Sequence, residues 1–467
     1  MLPLVSWLEK KVDTIKDNLG VRISPWPIFI LACVALLISL IFATPVAASA
    51  IPIAFLTAPF WLPFLVVRGA YDLWYLYKRS EFLANRKLVL LEIKPPRNLV
   101  KTPLAMETFL ATLHLTGGES NWWARLKGGT RPCFSLEMAS FEGQIHFFIQ
   151  TEVRFRRLVE SQLYSQYPGV QILEAPDYSR SISATVDEWI VWGVDYKHTA
   201  KGSDPLPIKT YIEYGLDKVQ KEEEQVDPLA SIIEFMGAAG KGEYIWLQHV
   251  IRAHKGEKYA KELRDYNRKQ TDKKKRLKAY TWADKGSEMV ADIRKATRES
   301  YVDPVTKKEM PGFPNPTKGQ MEKIAAIERN IGKLAFDVGI RGVYVCQKDK
   351  MNSSVIPNLI SLYKPFTSSG WNGIDSTAWM KKFDDYPWEI GVQKKKDMFA
   401  KDLIEVYRRR QFFYHPFYEG SMSPNDIMVM STEELATVFH IPSRAVETPG
   451  LGRIASATSE APVNLPI

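Results

Sequence analysis

The longest apolar run of the chain extends from Ile23 to Val67 and contains no acidic or basic side chain. A helix that crosses a membrane needs about 20 apolar residues, so this run is long enough for two short spans. The pattern predicts spans at 27–44 and 51–67, joined by a turn at 45–50. It therefore predicts a transmembrane helical hairpin within residues 26–80.

Basic residues flank the run on both sides and set the expected topology. They are Lys10, Lys11, Lys16 and Arg22 before it, and Arg68, Lys78, Arg79, Arg86 and Lys87 after it. The positive-inside rule places such flanks in the cytoplasm, which predicts a multi-pass protein of the inner (plasma) membrane with cytoplasmic soluble domains. Two alternatives stay open. Ala48-Ser49-Ala50 resembles a signal-peptidase site, and three prolines in the second segment would suit a kinked or re-entrant helix.

The leader at residues 1–25 has its own apolar periodicity. Its apolar positions at helical spacing are Leu4, Leu8, Val12, Ile15 and Leu19. An amphipathic helix of this kind suits either the inner headgroup layer or the surface of a soluble domain. The leader is therefore predicted to be an amphipathic helix whose partner stays open.

Beyond the run, strand and helix patterns alternate. The predicted elements are a strand at 88–93, a helix opened by Thr102 and Pro103, hairpin strands at 134–139 and 144–150, a helix at 155–167 and a strand at 170–173. Strand, helix, hairpin, helix and strand is the order of a ferredoxin-like sandwich. Residues 87–200 are therefore predicted to form a first α+β unit.

A second α+β unit is predicted at 201–366, because Asp227-Pro228-Leu229-Ala230 repeats the helix-opening pattern of Thr102-Pro103-Leu104-Ala105. Its elements are strands at 208–214, 244–250 and 340–346 and helices at 321–336 and 352–366, with another strand at 189–194 between the units. Residues 367–440 are predicted to be a helical region with a helix at 399–414 and a capping box at Ser431-Thr432-Glu433-Glu434. Residues 441–467 are predicted to be a flexible tail. The predicted fold class is thus α+β, with a transmembrane hairpin, two ferredoxin-like units and a charged helical insertion.

That insertion, at 255–315, carries most of the basic excess of the chain. The net charge is +9 over 467 residues, and Lys255 to Lys278 holds far more Lys and Arg than Asp and Glu. The candidate contacts are Arg268, Lys269, Lys273, Lys274, Lys275, Arg276 and Lys278. Such a block can bind DNA phosphates or an anionic membrane surface, and a solvated charged helix is the alternative.

A glycine-flanked loop between the first helix and the hairpin combines aromatic and basic residues. The candidates for base stacking or partner contact are Trp122, Trp123, Arg125 and Lys127. Aromatic faces beside cations suit single strands and protein hot spots. The alternative is that both tryptophans cap the core of their own unit.

Catalytic and metal-binding signatures are missing from the sequence. Three cysteines and seven histidines are scattered, with no metal-ligand spacing. The stretch most similar to a phosphate-binding loop contains Gly240-Lys241. It is followed by Gly242, where the motif needs a Ser or Thr hydroxyl. We therefore expect no catalytic residue, no metal and no cofactor, and the chain cannot be a P-loop motor by itself.

Several short motifs resemble one bacterial family. They are Leu91-Glu92-Ile93-Lys94-Pro95-Pro96, Ala105-Met106-Glu107, Ser135-Leu136-Glu137, the stretch from Val159 to Pro168, Gly242-Glu243 and Phe439-His440-Ile441-Pro442. In this order they resemble the region that precedes the motor in membrane-anchored type IV secretion and conjugation-like ATPases. The chain ends at Ile467, where the motor of that family would begin. The resemblance therefore implies that a separate P-loop ATPase is the partner, with a truncated relative as the alternative.

These patterns predict that the protein is a non-enzymatic inner-membrane component of a type IV secretion or conjugation-like machine. In this role it would dock a separate P-loop ATPase and contact DNA. The membrane is an expected partner too, and homo-oligomer formation stays open. Two other functions remain as alternatives. One is a membrane-tethered enzyme with an unrecognised site, and the other is a purely structural membrane scaffold.

Overall fold

The computed structural model describes residues 45–119, 122–182, 188–199, 203–218, 226–259, 263, 266–267, 277, 280–302, 309–378, 392–410, 412–414, 427–444 and 450–453. The chain divides into two compact parts, Met1–Tyr77 and Lys78–Ile467. All of the strands in the described residues belong to the second part.

The first described helix, α1, spans Pro45–Ala84. The residues predicted to form the turn of the hairpin, 45–50, are its first six residues, and the helix continues past Val67 through charged residues such as Arg68 and Arg79. None of the helices that the structure describes is long and apolar enough to cross a membrane. The predicted transmembrane hairpin and the multi-pass inner-membrane localisation are therefore wrong. The predicted first span, 27–44, and the leader lie outside the described residues.

One large antiparallel sheet organises the rest of the described chain, in agreement with the predicted α+β class. Its strands are β1 Leu88–Lys94, β2 Cys133–Phe141, β3 Gln144–Glu152, β4 Gln171–Ala175, β5 Trp189–His198, β6 Glu243–Ala253, β9 Ala335–Gln347, β10 Ile374–Ala378 and β11 Met428–Ser431. They lie in the order β10-β5-β9-β6-β2-β3-β1-β4, and β11 pairs with the start of β9. A separate hairpin pairs β7 Arg298–Val302 with β8 Glu309–Pro314.

Helices fill the intervals between the strands. After α1 they are α2 Pro103–Thr112, α3 Trp122–Leu126, α4 Arg156–Gln166, α5 Leu229–Gly237, α6 Trp282–Ala296, α7 Lys318–Ile331, α8 Val355–Ile360, α9 Val392–Arg409 and α10 Thr432–Val438. Thr281, Thr317 and Ser431 open α6, α7 and α10 with complete capping boxes. Each box satisfies backbone N–H groups that a helix start otherwise leaves without partners.

The sheet consists of two halves with the same strand order. In the first half β1, α2, β2, β3, α4 and β4 occur in this order, with the short helix α3 between α2 and β2, and the strands lie in the order β4-β1-β3-β2. The second half repeats this order as β10-β5-β9-β6, with α5 and α8 at the two helix positions. This is the order of a ferredoxin-like sandwich. The halves join because β2 and β6 pair from Cys133 opposite Arg252 to Phe141 opposite Tyr244.

The two halves differ at the turn between their second and third strands. In the first half a tight turn at Glu142 and Gly143, with φ values of 53° and 86°, connects β2 to β3. In the second half residues 254–334 occupy the same place between β6 and β9. The backbone N–H of His254 donates to the carbonyl of Ala335 at 3.0 Å, which brings the two ends of this insertion together.

Both faces of the sheet are covered. On one face α2, α4, α5, α8 and α10 contribute to the largest apolar core, which includes Phe109, Leu163 and Leu435. On the other face α9 packs Leu403 and Tyr407 against Trp246 and Val343. Two strand glycines allow this close approach. A Cβ atom on Gly193 would lie 2.3 Å from Leu403 Cδ2, and one on Gly339 would lie 2.3 Å from Phe412 Cγ.

Two segments differ from the sequence-based expectation. The segment predicted as a strand at 208–214 consists of turns and bends. Two of its backbone N–H groups bind side chains of α10 instead of a neighbouring strand. Ile208 N donates to Glu434 Oε1 at 3.1 Å, and Tyr211 N donates to Thr437 Oγ1 at 3.0 Å. The region predicted as a flexible tail starts inside the fold, since Ile441 and Leu451 are buried and Leu451 forms a bridge with Ile145.

Candidate anion-binding groove

An open groove of about 480 Å³ lies between α6 and α7 in the insertion. Val290 and Ala291 of α6 and Ile331 of α7 supply its apolar lining. The two helices approach closely at Gly286, where a Cβ atom would lie 2.3 Å from Ile331 Cγ2. Below the groove Val290 packs with Leu206, Ile324 and Ile327, so the apolar lining is part of a small core of its own.

Three cations stand on one side of the groove. Arg294 and Lys295 lie in the last turn of α6, and Arg298 begins β7. All three are exposed. Cations at the end of a helix interact favourably with its negative dipole end, which suits the position of the first two.

The opposite wall, on α7, carries one acid. Arg294 Nη2 lies 3.0 Å from Glu328 Oε1, and the two side chains are 54% and 51% exposed. An ion pair exposed to this degree contributes about 0–1 kcal/mol and is screened by salt. An anionic ligand therefore competes for Arg294 at little cost.

Local hydrogen bonds fix where the basic side begins and ends. Thr297 Oγ1 donates to the carbonyl of Arg294 at 3.0 Å and so closes the last turn of α6. Asn315 N donates to the carbonyl of Thr297 at 3.1 Å, which holds the far strand of the hairpin at the same place. In the hairpin Pro314 pairs with Arg298, and the preceding residue, Phe313, is 93% exposed.

The chemistry of the groove is that of binding. Cations on one side, a carboxylate on the other and apolar side chains between them suit a ligand with a negative charge and an apolar group. In the part of the chain that the structure describes, no cluster of three or more His, Cys, Asp or Glu side chains is placed to hold a metal ion.

The cations predicted from sequence do not include those of the groove. Arg268, Lys269, Lys273, Lys274, Lys275, Arg276 and Lys278 lie outside the described residues. Arg294, Lys295 and Arg298 were missed because the predicted helical insertion was not divided into individual helices such as α6. Its capping box, from Thr281 to Asp284, is the sequence signal that marks this helix.

The predicted tryptophan loop contains the short helix α3. Trp123 is 57% exposed, and Lys127 Nζ lies 5.4 Å from its ring centroid. A cation at this distance interacts with the face of the ring. Trp122 and Arg125 lie on the same helix, and their side chains are outside what the structure describes. The loop and the groove belong to different halves of the chain.

A row of residues that is polar except at Phe148 crosses the centre of the sheet on the face that α9 covers. Cross-strand pairing aligns Glu92, Phe148, Glu137, Gln248, Arg341 and Asp195 in this order. Glu137 in the first half and Gln248 in the second occupy equivalent positions, as do Glu92 and Asp195. The buried Arg341 and Asp195 form a bidentate pair with N···O distances of 2.6 and 3.0 Å.

Arg410 at the end of α9 completes this row. Its Nε donates to Glu137 Oε1 at 2.9 Å, and its Nη1 donates to Asp177 Oδ2 at 2.7 Å. Burial opposes the charge of Arg410, but the two carboxylates outweigh it and raise the pKa of the guanidinium. Burial alone would raise the pKa of Asp177. The hydrogen bonds and charge of Arg410 outweigh burial and hold this pKa below its usual value. This is a closed structural network.

A second closed network surrounds the start of α10. Glu433 accepts from Lys333 Nζ at 2.7 Å, and Lys333 also pairs with Glu107 at 2.8 Å. Glu434 is buried, and its carboxylate accepts from Ser431 N, Ile208 N and Asn330 Nδ2. Burial raises the pKa of Glu434 to about 7. The central carboxylates of the two networks, Glu137, Glu433 and Glu434, are buried, whereas the ionisable groups of the groove face solvent.

Comparison with known proteins places this architecture in one family. Residues 78–452 match the family described as Domain of unknown function (DUF8128). No curated protein matches the chain, and no solved structure matches it either. The match covers both halves of the sheet, the insertion and α10. The chain therefore belongs to the DUF8128 family.

Proposed function

We propose that the chain is a non-enzymatic platform in a type IV secretion or conjugation-like machine, where it docks a separate P-loop ATPase and contacts DNA. One observation supports a platform most directly. Arg410 and Glu137 are buried, and the Arg410 guanidinium binds the carboxylates of both Glu137 and Asp177. Ionisable groups used in this way hold a structure together instead of facing a substrate.

The joined sheet suits a docking role. Because β2 and β6 pair from Cys133 to Phe141, the two halves form one continuous sheet. At one end of the described sheet β4 pairs with β1 alone, and Leu173 on β4 is 43% exposed. An end strand with open backbone groups can accept a strand from a partner. We place the ATPase contact at this edge.

The DNA contact is assigned to the basic segment at 255–278. Its Lys and Arg side chains outnumber its acids, and neutralised phosphates release counterions on binding. The machine itself is inferred from the sequence resemblance.

Purification of the tagged full-length chain from its native host tests the docking proposal. We expect an ATPase to co-purify, and Leu173→Asp should reduce its recovery by placing a charge on the β4 edge. Leu334→Asp is the matched control, because Leu334 is 44% exposed in the turn before β9. A chain that purifies alone under these conditions, or loses the ATPase equally in both variants, contradicts the proposal.

A further inference from the structure

We propose that the groove between α6 and α7 binds an acidic peptide segment of a partner protein, with an apolar side chain seated on the groove floor. The site is separate from the β4 edge and from the basic segment at 255–278. It therefore goes beyond the proposed docking and DNA contacts.

The size and floor of the groove suit a peptide side chain. Ligand sites commonly enclose roughly 300–1,000 Å³ and are lined mostly by apolar groups. This groove measures about 480 Å³, and its lining is mixed, with Val290, Ala291 and Ile331 as the apolar residues beside polar and charged ones. A Leu, Ile or Phe side chain placed there removes apolar surface from water, which favours binding.

The charges determine which kind of ligand fits. Arg294, Lys295 and Arg298 line one side and attract carboxylates. Glu328 on the other wall repels a ligand that is negatively charged on both sides. Its carboxylate can accept hydrogen bonds from the backbone N–H groups of a peptide. A nucleic acid strand carries a negative charge at each phosphate and has no aliphatic side chain for the floor. The arrangement therefore favours an acidic peptide over a nucleic acid.

The β7–β8 hairpin extends the binding surface. Phe313 is 93% exposed beside Pro314, which pairs with Arg298. Nearly complete exposure of a Phe ring is unfavourable in water, and aromatic side chains are common anchors at protein interfaces. A bound segment that passes Arg298 would cover part of this ring.

A displayed library of random 12-residue peptides, selected on the purified full-length chain, tests the proposal. Two variants act on the groove. Arg298→Glu reverses a rim charge, and Ala291→Glu places an acid at an exposed helical position beside the floor. The matched control is Lys318→Glu on α7. It makes the same charge change as Arg298→Glu, and the Lys318 side chain is 89% exposed.

We expect the selected peptides to combine Asp and Glu with an apolar residue. Measured by fluorescence anisotropy, their Kd should rise about tenfold for each groove variant and less than about twofold for the control. Replacing the apolar residue of the peptide by Ser should also weaken binding.

Three results would overturn the proposal. The library yields no peptides of this composition, the control variant weakens binding as much as the groove variants, or a 20-nucleotide single strand displaces the peptide with comparable affinity. The last result would assign the groove to nucleic acid. Recovery of an ATPase from the host has no bearing on these outcomes, so the two proposals fail independently.

Discussion

Glu137 and Gln248 lie opposite each other where the two halves of the sheet meet, and Gln248 Nε2 donates to Glu137 Oε1 at 3.2 Å. The two residues occupy equivalent positions in the halves, yet only one of them is charged. Arg410 supplies the balancing charge from the end of α9. The junction of the halves and the attachment of α9 therefore depend on the same buried contact.

Replacing Arg410 should expose this dependence. Arg410→Met removes a buried cation and leaves Glu137 and Asp177 without its charge, which should lower the free energy of unfolding by about 3–5 kcal/mol. Arg409→Met is the control. Its pair with Glu405 is on the surface, with side chains 53% and 38% exposed, and its loss should cost under about 1 kcal/mol. Urea unfolding measures both, and equal costs would contradict the assignment.

Gly339 should tolerate no larger residue. A Cβ atom there would lie 2.3 to 2.8 Å from three ring atoms of Phe412, and this ring is buried. We expect Gly339→Ala to destabilise the fold by about 1–3 kcal/mol through overpacking. At Gly319 an added Cβ atom would have no other atom within 4 Å, and Gly319→Ala replaces a glycine inside a helix. Its thermal midpoint should stay equal or rise, and a fall as large as that of Gly339→Ala would argue against overpacking.

Glu434 should make stability fall as the pH rises. Its pKa is about 7 in the fold, against an ordinary value of 4.5. The folded state therefore holds a proton that the unfolded state releases, so this contribution is complete below pH 4.5 and is lost as the pH approaches 7. The loss is on the order of 3 kcal/mol. Glu434→Gln cannot titrate, so the variant should gain stability relative to the parent between pH 5 and pH 8. A constant difference across this range would refute the prediction.

His249 should act in the opposite sense. The side chain is buried between Leu136 O and Tyr363 Oη, and burial lowers its pKa to about 4 from 6.5. The unfolded state binds the proton more readily, so stability is lost as the pH falls from 6.5 toward 4. His249→Gln should lessen this loss, as measured by urea unfolding at pH 7 and pH 5. An unchanged loss in the variant would show that other groups cause it.

Salt dependence tests the basic segment. Each neutralised phosphate adds about 0.9 to the slope of log affinity against log salt for duplex DNA, and about 0.7 for single strands. Changing Lys273, Lys274, Lys275 and Arg276 to Gln should therefore flatten the slope by about three units. Changing Lys318 to Gln provides a control elsewhere on the insertion. An unchanged slope in the fourfold variant would remove these residues from the DNA contact.

Local patterns predicted most of the elements of the sheet. The turn at Glu142 and Gly143, the helix opened by Pro103 and the capping box at Ser431 depend on neighbours in sequence, and each is present. Contacts between distant residues explain what was missed. The segment at 208–214 does not form a strand, and the N–H groups of Ile208 and Tyr211 bind side chains of α10, more than 200 residues away. The transmembrane hairpin was predicted wrongly because an apolar run alone does not reveal that residues 45–50 belong to a continuous helix.

The groove was the least predictable feature. Its cations come from the end of α6 and the start of β7, and its acid comes from α7. Composition pointed to the denser basic segment at 255–278 because a count of charges takes no account of which side chains meet in space. Gly286, which lets the two helices approach, gives no such indication in sequence alone.

The hydrogen bond between His254 and Ala335 has an evolutionary consequence. Because the insertion leaves and re-enters the sheet at one point, its length and sequence can change while β6 and β9 keep their register. The short turn at Glu142 and Gly143 shows that the other half closes the same connection with two residues. The module can therefore change in length away from Asn330 and Lys333, whose contacts with Glu434 and Glu433 tie it to α10.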